Sequence, residues 1–221
     1  MIETIFNPRI IDNKDWATIL FVSGFALIAI VKTVFETRFN DFMNLIVSDK
    51  YIKIYRDSSH LMSGFTILLF IVQILSLAFF IQLALNSFGY ISKTDWLVFI
   101  QIATVLFVFI LSKFLIKKII AATFDIEEFT EQFNLQKVSY RSYVALFLLP
   151  LDIILYYNDN LSQNGFLFII ISLIILNIIT YIIALKNYQS LLFSKMFYFI
   201  LYLCTLEIAP YYFMYYWFTN K

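Results

Sequence analysis

Six long apolar runs constrain this chain more than any other feature, because about 20 apolar residues are what a helix needs to cross the hydrocarbon core of a bilayer. They lie at 16–34, 61–85, 96–116, 143–157, 165–185 and 196–217, the fourth being the shortest. Helix is the only economical form for them. In lipid every backbone N–H and C=O must be paired within its own segment, and the alternating pattern of a barrel strand is missing. The expected fold is all-α: a polytopic membrane protein with a six-transmembrane-helix bundle, one membrane domain over 1–221. Composition agrees, with 62% hydrophobic and 14% charged residues and a mean hydropathy of +0.82, well outside the range of soluble domains. Residues 1–15 are polar and mixed in charge, unlike the basic start of a cleaved signal peptide.

Charge asymmetry between the connections gives the orientation. Twelve of the 16 Lys and Arg residues fall on one side: Lys32, Arg38, Lys50, Lys53, Arg56, Lys113, Lys117, Lys118, Lys137, Arg141, Lys186 and Lys195. Arg9, Lys14, Lys93 and Lys221 fall on the other. The basic side is therefore expected to be cytoplasmic, with both termini facing away from the cytoplasm. Trp16, Trp96 and Trp217 sit at the outer ends of their runs, where indoles anchor at the interface.

Two cytoplasmic connections carry amphipathic patterns of their own. Phe35, Phe39, Phe42, Met43 and Ile46 recur at helical spacing, with Glu36, Arg38, Asn40, Asp41 and Asn44 between them, which predicts an interfacial helix over 35–47. Ile126, Phe129 and Phe133 against Asp125, Glu127, Glu128 and Glu131 predict a second over 124–135. Such helices either pack beneath the bundle or dock a cytoplasmic protein partner, in which case Phe39, Phe42, Phe129 and Phe133 are the contact residues. Asp15-Trp16 and Asp95-Trp96 open the first and third spans, and Phe39 with Asn44-Leu45 is echoed by Phe129 with Asn134-Leu135. A duplicated unit of span, surface helix and span would give this pattern, and so would chance.

Glu207 is the deepest acid, about 15 Å from the outer anchors at about 1.5 Å per residue. Asp152 lies about 7 to 8 Å in on the same reckoning. Gln73, Ser76, Thr104 and Asn177 are the polar residues at the depth of Glu207, with no Lys or Arg there. An acid so placed is expected to be neutral and hydrogen-bonded. It serves either a proton relay or polar ligand pocket, or simply as hydrogen-bonding glue between helices. Pro210 and Pro150 lack an N–H and are expected to kink their helices beside these acids.

Other chemistries find little support. Net charge is +1, so no electrostatic grip on nucleic acid is expected. One cysteine, Cys204, and one histidine, His60, allow neither an intrachain disulfide nor a Cys- or His-based metal centre, and no cofactor is expected. His60 beside Ser58 and Ser59 at a helix mouth lacks the geometry of a nucleophile–base pair. Ser23-Gly24 and Ser63-Gly64 offer small residues for close helix contact. Asn158-Asp159-Asn160 reads as a solvated turn. Glu127-Glu128 is similar to the paired glutamates of intramembrane CAAX-type proteases, but Gln132 stands where that motif has Arg.

The segment LYLCTLEIAP at 201–210, followed by Tyr211, Tyr212, Tyr215 and Tyr216, resembles the Bacteroidota membrane family known as domain of unknown function 4271. Glu207 and Pro210 are the positions that carry the motif. The resemblance covers nearly the whole chain and implies an inner-membrane protein serving the envelope, without assigning an activity. The expected function is a non-catalytic subunit or scaffold of an envelope-biogenesis complex, for secretion or lipid-linked glycan work. The alternative is a small proton-coupled transporter or lipid-handling protein centred on Glu207. Membrane lipid is a partner in both.

Overall fold

The computed structural model describes residues 15–46, 50–55, 63–123, 127–158, 163–187 and Tyr216. Every regular element among them is helical: α1 (Asp15–Val34), α2 (Glu36–Met43) running into a 3-10 turn (Asn44–Ile46), α3 (Lys50–Ile54), α4 (Gly64–Ser87), α5 (Trp96–Thr123), α6 (Glu127–Tyr157) and α7 (Gln163–Asn187). Five of these, α1, α4, α5, α6 and α7, are long and apolar enough to cross a membrane. The sixth expected span, 196–217, lies outside the described residues apart from Tyr216.

α4 is the axis of the bundle. More than half of its span, 56%, is buried inside the protein, against 11% for α5 and 6% for α7. The exposed faces of the outer helices are rich in Ile, Leu, Phe and Val. Hydrocarbon is the solvent such faces fit, since their backbone is satisfied within the helix and their side chains ask nothing of water. α1 approaches closely at Gly24, where an added Cβ would come within 2.8 Å of Leu149 Cδ1. The small residue there serves packing.

The bundle has two ends. At one, called here the tryptophan end, Trp16 stacks on Phe79 with ring centroids 5.8 Å apart and meets Phe99 and Tyr156. Phe21, Phe79, Phe99 and Tyr156 are all buried. Trp16 therefore faces the protein, whereas Trp96 is 55% exposed, so the two Asp-Trp pairs sit in different surroundings. α4 closes here with Gly89 at φ 79°, the Tyr90 N–H reaching the Leu85 carbonyl and the Gly89 N–H that of Asn86. Glycine suits this left-handed position because no Cβ opposes it.

At the other, basic end, α2 tucks its apolar stripe under the bundle. Phe42 is fully buried, packed on Tyr51 of α3, Phe65 of α4 and Tyr143 of α6, and Phe39 is 7% exposed beside it. The expectation that Phe39 and Phe42 offer a docking surface is corrected: their stripe is already covered by three helices of the same chain.

A second correction concerns α6. The separate helix expected over 124–135 and the short span at 143–157 are one continuous helix of 31 residues. No Gly or Pro interrupts residues 127–149, so nothing stops the helix between the two patterns. Its membrane-length portion is Asn134–Tyr157. Asn134, Gln136, Ser139 and Ser142, which broke the apolar count, are buried in the bundle instead of facing lipid. The helix also continues through Pro150.

Candidate functional site

α4 and α6 run in the same direction and share a polar seam. Ser76 Oγ donates to Asp152 Oδ2 at 2.9 Å, and Ser142 Oγ donates to Gln73 Oε1 at 3.5 Å. Gln73 and Ser76 are one turn apart on α4, so they face the same neighbour. Asp152 and Ser76 are fully buried and Gln73 is 2% exposed. Among the described residues, Asp152 Oδ1 and Gln73 Nε2 have no hydrogen-bond partner.

Thr104 and Asn177 do not join this seam. Thr104 Oγ1 donates to the Ile100 carbonyl and Asn177 Nδ2 to the Leu173 carbonyl, each within its own helix, and both residues are exposed. Glu207 and Pro210 lie outside the described residues, and Phe129 and Phe133 belong to the first turns of α6, where side chains are not described. Of the intramembrane polar residues singled out in the sequence, the structure brings Asp152, Gln73 and Ser76 onto one interface.

Gln73 also lines a cavity of about 200 Å³ at the basic end, between α4, α5 and α6. Lys113 and Lys117 reach it from α5, Lys137 and Arg141 from α6, and Asn134 and Thr66 complete its polar lining. Each cation pair is spaced i, i+4, so both members of a pair point the same way. Lys113 and Lys117 are buried, at 8% and 7% exposure. Among the described residues that line the cavity, none is acidic. The cavity thus gathers four cationic side chains at the edge of a largely apolar lining. Four cations with amide and hydroxyl donors suit the several oxygens of a phosphate.

Arg38 fastens the neighbouring wall. Its Nη1 donates to Ser63 Oγ at 2.6 Å, Nε to the Tyr51 hydroxyl at 3.4 Å and Nη2 to Thr66 Oγ1 at 3.5 Å. The guanidinium carbon lies 4.7 Å from the ring centroids of both Tyr55 and Phe65. Ser63 is the N-cap of α4, but its side chain makes no capping bond; its hydroxyl serves Arg38 instead. Burial pushes the Tyr51 phenol up, opposed by the charge of Arg38 and hydrogen bonds from Arg38 and Ser139. Thr66 belongs to both arrangements, so α2 is tied to the cavity wall.

The four cavity cations entered the sequence reading only as markers of orientation. Two basic i, i+4 pairs flanking one connection, Lys113/Lys117 and Lys137/Arg141, were the signal that a shared site was possible. An all-helical chain with five described membrane-length helices, an acid in the bundle and a cationic cavity at one end defines a multi-pass membrane protein. It belongs to the family described as Domain of unknown function (DUF4271), which it matches over residues 17–218. No curated protein and no solved structure matches it.

Proposed function

We propose that this is a lipid-handling protein of a bacterial inner membrane that holds a phosphate-bearing headgroup in the cavity at its basic end. The observation that carries the reading is the convergence of Lys113, Lys117, Lys137 and Arg141 on one cavity that Gln73, Asn134 and Thr66 also line. Basic pockets between membrane helices on the cytoplasmic side are where anionic headgroups bind. The excess of Lys and Arg at this end supports a cytoplasmic position, with the N-terminus on the periplasmic side. In a six-span chain the C-terminus shares that side. The site moves the lipid-handling reading from Glu207 to the membrane boundary. The subunit reading loses the surface it needed at Phe39 and Phe42, both covered by the chain itself.

The test is the lipid that the protein keeps on purification in mild detergent, quantified by mass spectrometry for wild type and for Lys113→Gln combined with Lys137→Gln. Near a membrane surface each cation contributes on the order of 1 kcal/mol to holding an anionic lipid, so the double variant should retain anionic phospholipid about thirtyfold less well. Equal retention in a folded variant would refute the headgroup site. Reporter fusions at Lys137 and Lys221 test the orientation, and a periplasmic signal at Lys137 would reverse it.

A further inference from the structure

A second cavity of about 200 Å³ lies along the seam between α4 and α5, and its lining is wholly apolar. Phe99, Ala103 and Phe107 follow each other at one-turn spacing on α5, so Ala103 is a notch between two rings. Phe70 and Ile74 form the facing wall on α4. From Phe99 to Phe107 the groove runs about 12 Å along the helix, at about 1.5 Å per residue. Phe70 lines this groove and the cationic cavity alike. Its ring centroid lies 6.0 Å from that of Phe107.

Charge at one end, hydrocarbon lining along the other and a shared residue between them match the layout of a single amphiphile. A free phosphate would fill the first cavity and leave the groove without purpose. A detached hydrocarbon would have no use for four cations. We infer that the cationic cavity and the α4–α5 groove are one site for a single phosphate-bearing lipid, its headgroup among Lys113, Lys117, Lys137 and Arg141 and one hydrocarbon chain passing Phe70 to lie against Ala103. This rests on the headgroup reading above and adds the class of ligand: a membrane lipid instead of a soluble phosphate.

The experiment uses phosphatidylglycerol with a photoactivatable diazirine in one acyl chain, presented to the full-length protein in detergent–lipid micelles, with labelled peptides mapped by mass spectrometry. Inorganic phosphate is the headgroup probe, read by its shift of the melting temperature. Label should concentrate on residues 70–75 and 99–107, fall about tenfold in Ala103→Phe, which fills the notch, and fall again in Lys113→Gln/Lys137→Gln. The phosphate shift should survive Ala103→Phe and vanish in the charge variant. Ala103→Leu, a smaller filling change, gives the same direction should the Phe variant not fold. A phosphate shift that depends on the cations, with label spread evenly over α5 and α7, would overturn the groove and leave the headgroup site standing. Label in the groove that ignores the charge variant would overturn the single-lipid site, and the headgroup reading would fall with it if the phosphate shift ignored the variant too. An even spread with no phosphate shift would overturn both as well.

Discussion

At the tryptophan end, buried polar side chains reach for backbone carbonyls; at the basic end, they face one another and a cavity. Gln82 Nε2 donates to the Asp95 carbonyl at 2.9 Å, Asn86 Nδ2 to Ile91 at 2.9 Å and Trp16 Nε1 to Thr94 at 3.1 Å. Lys93 Nζ closes the end of α6 by donating to the Tyr156 carbonyl at 3.0 Å. Each bond holds a connection in place, and aromatic packing fills the rest. Across the bundle, Lys113, Lys117, Gln73 and Asn134 are also withdrawn from the surface, yet they line open volume. One end spends its polar side chains on holding connections, and the other lines a cavity with them. This difference locates function more firmly than the depth of an acid does.

The sharpest way to test the division is to damage each end separately. Phe79 is fully buried between Trp16, Phe21 and Phe99, so Phe79→Ala should cost about 3–5 kcal/mol. Thermal melting in detergent should show that loss while the surviving folded protein still binds phosphate. A change below about 1 kcal/mol would mean the aromatic cluster is not the anchor it is drawn as here. The opposite experiment is Lys117→Gln with Arg141→Gln, which should abolish a salt-sensitive phosphate response.

Ser76→Ala takes the donor from Asp152 in the middle of the bundle. Measured hydrogen bonds between membrane helices average about 0.6 kcal/mol and reach about 1.7, so a loss of about 1 kcal/mol is expected, recovered by Ser76→Thr if the hydroxyl still reaches. Lys93→Met should have the smallest effect, about 0.3–1 kcal/mol from one cation at a helix C-terminus. Reporters of the Trp16 environment should respond to it and phosphate binding should not. A phosphate effect from Lys93 would break the separation of the two ends.

Much of the fold was legible because a bilayer imposes a length. Apolar runs locate α1, α4, α5 and α7 to within a few residues at most of their ends, and the amphipathic stripe locates α2. α6 was cut in two because a count of apolar residues treats Asn134, Gln136, Ser139 and Ser142 as outside the membrane, whereas contact with α4 and α3 lets a helix bury them. The site was less legible for a similar reason. Lys113 and Lys117 precede Lys137 and Arg141 by about two dozen positions, and only the antiparallel passage of α5 beside α6 brings the pairs together. Asp152 was singled out by its surroundings in the sequence, but its partner Ser76 sits 76 residues away. Thr104 and Asn177 matched Glu207 in depth, yet depth leaves open which way a side chain points around its helix.

The setting of Arg38 also bears on how the chain is made. The groups described around its guanidinium, Tyr51, Tyr55, Ser63, Phe65 and Thr66, all lie C-terminal to it, the farthest 28 residues on. A ribosome therefore delivers the cation first and its shelter soon afterwards, before any of α5 or α6 exists. So short a loop closes quickly, and the first two membrane helices can be joined at their basic ends as a hairpin while the rest of the protein is still being synthesised.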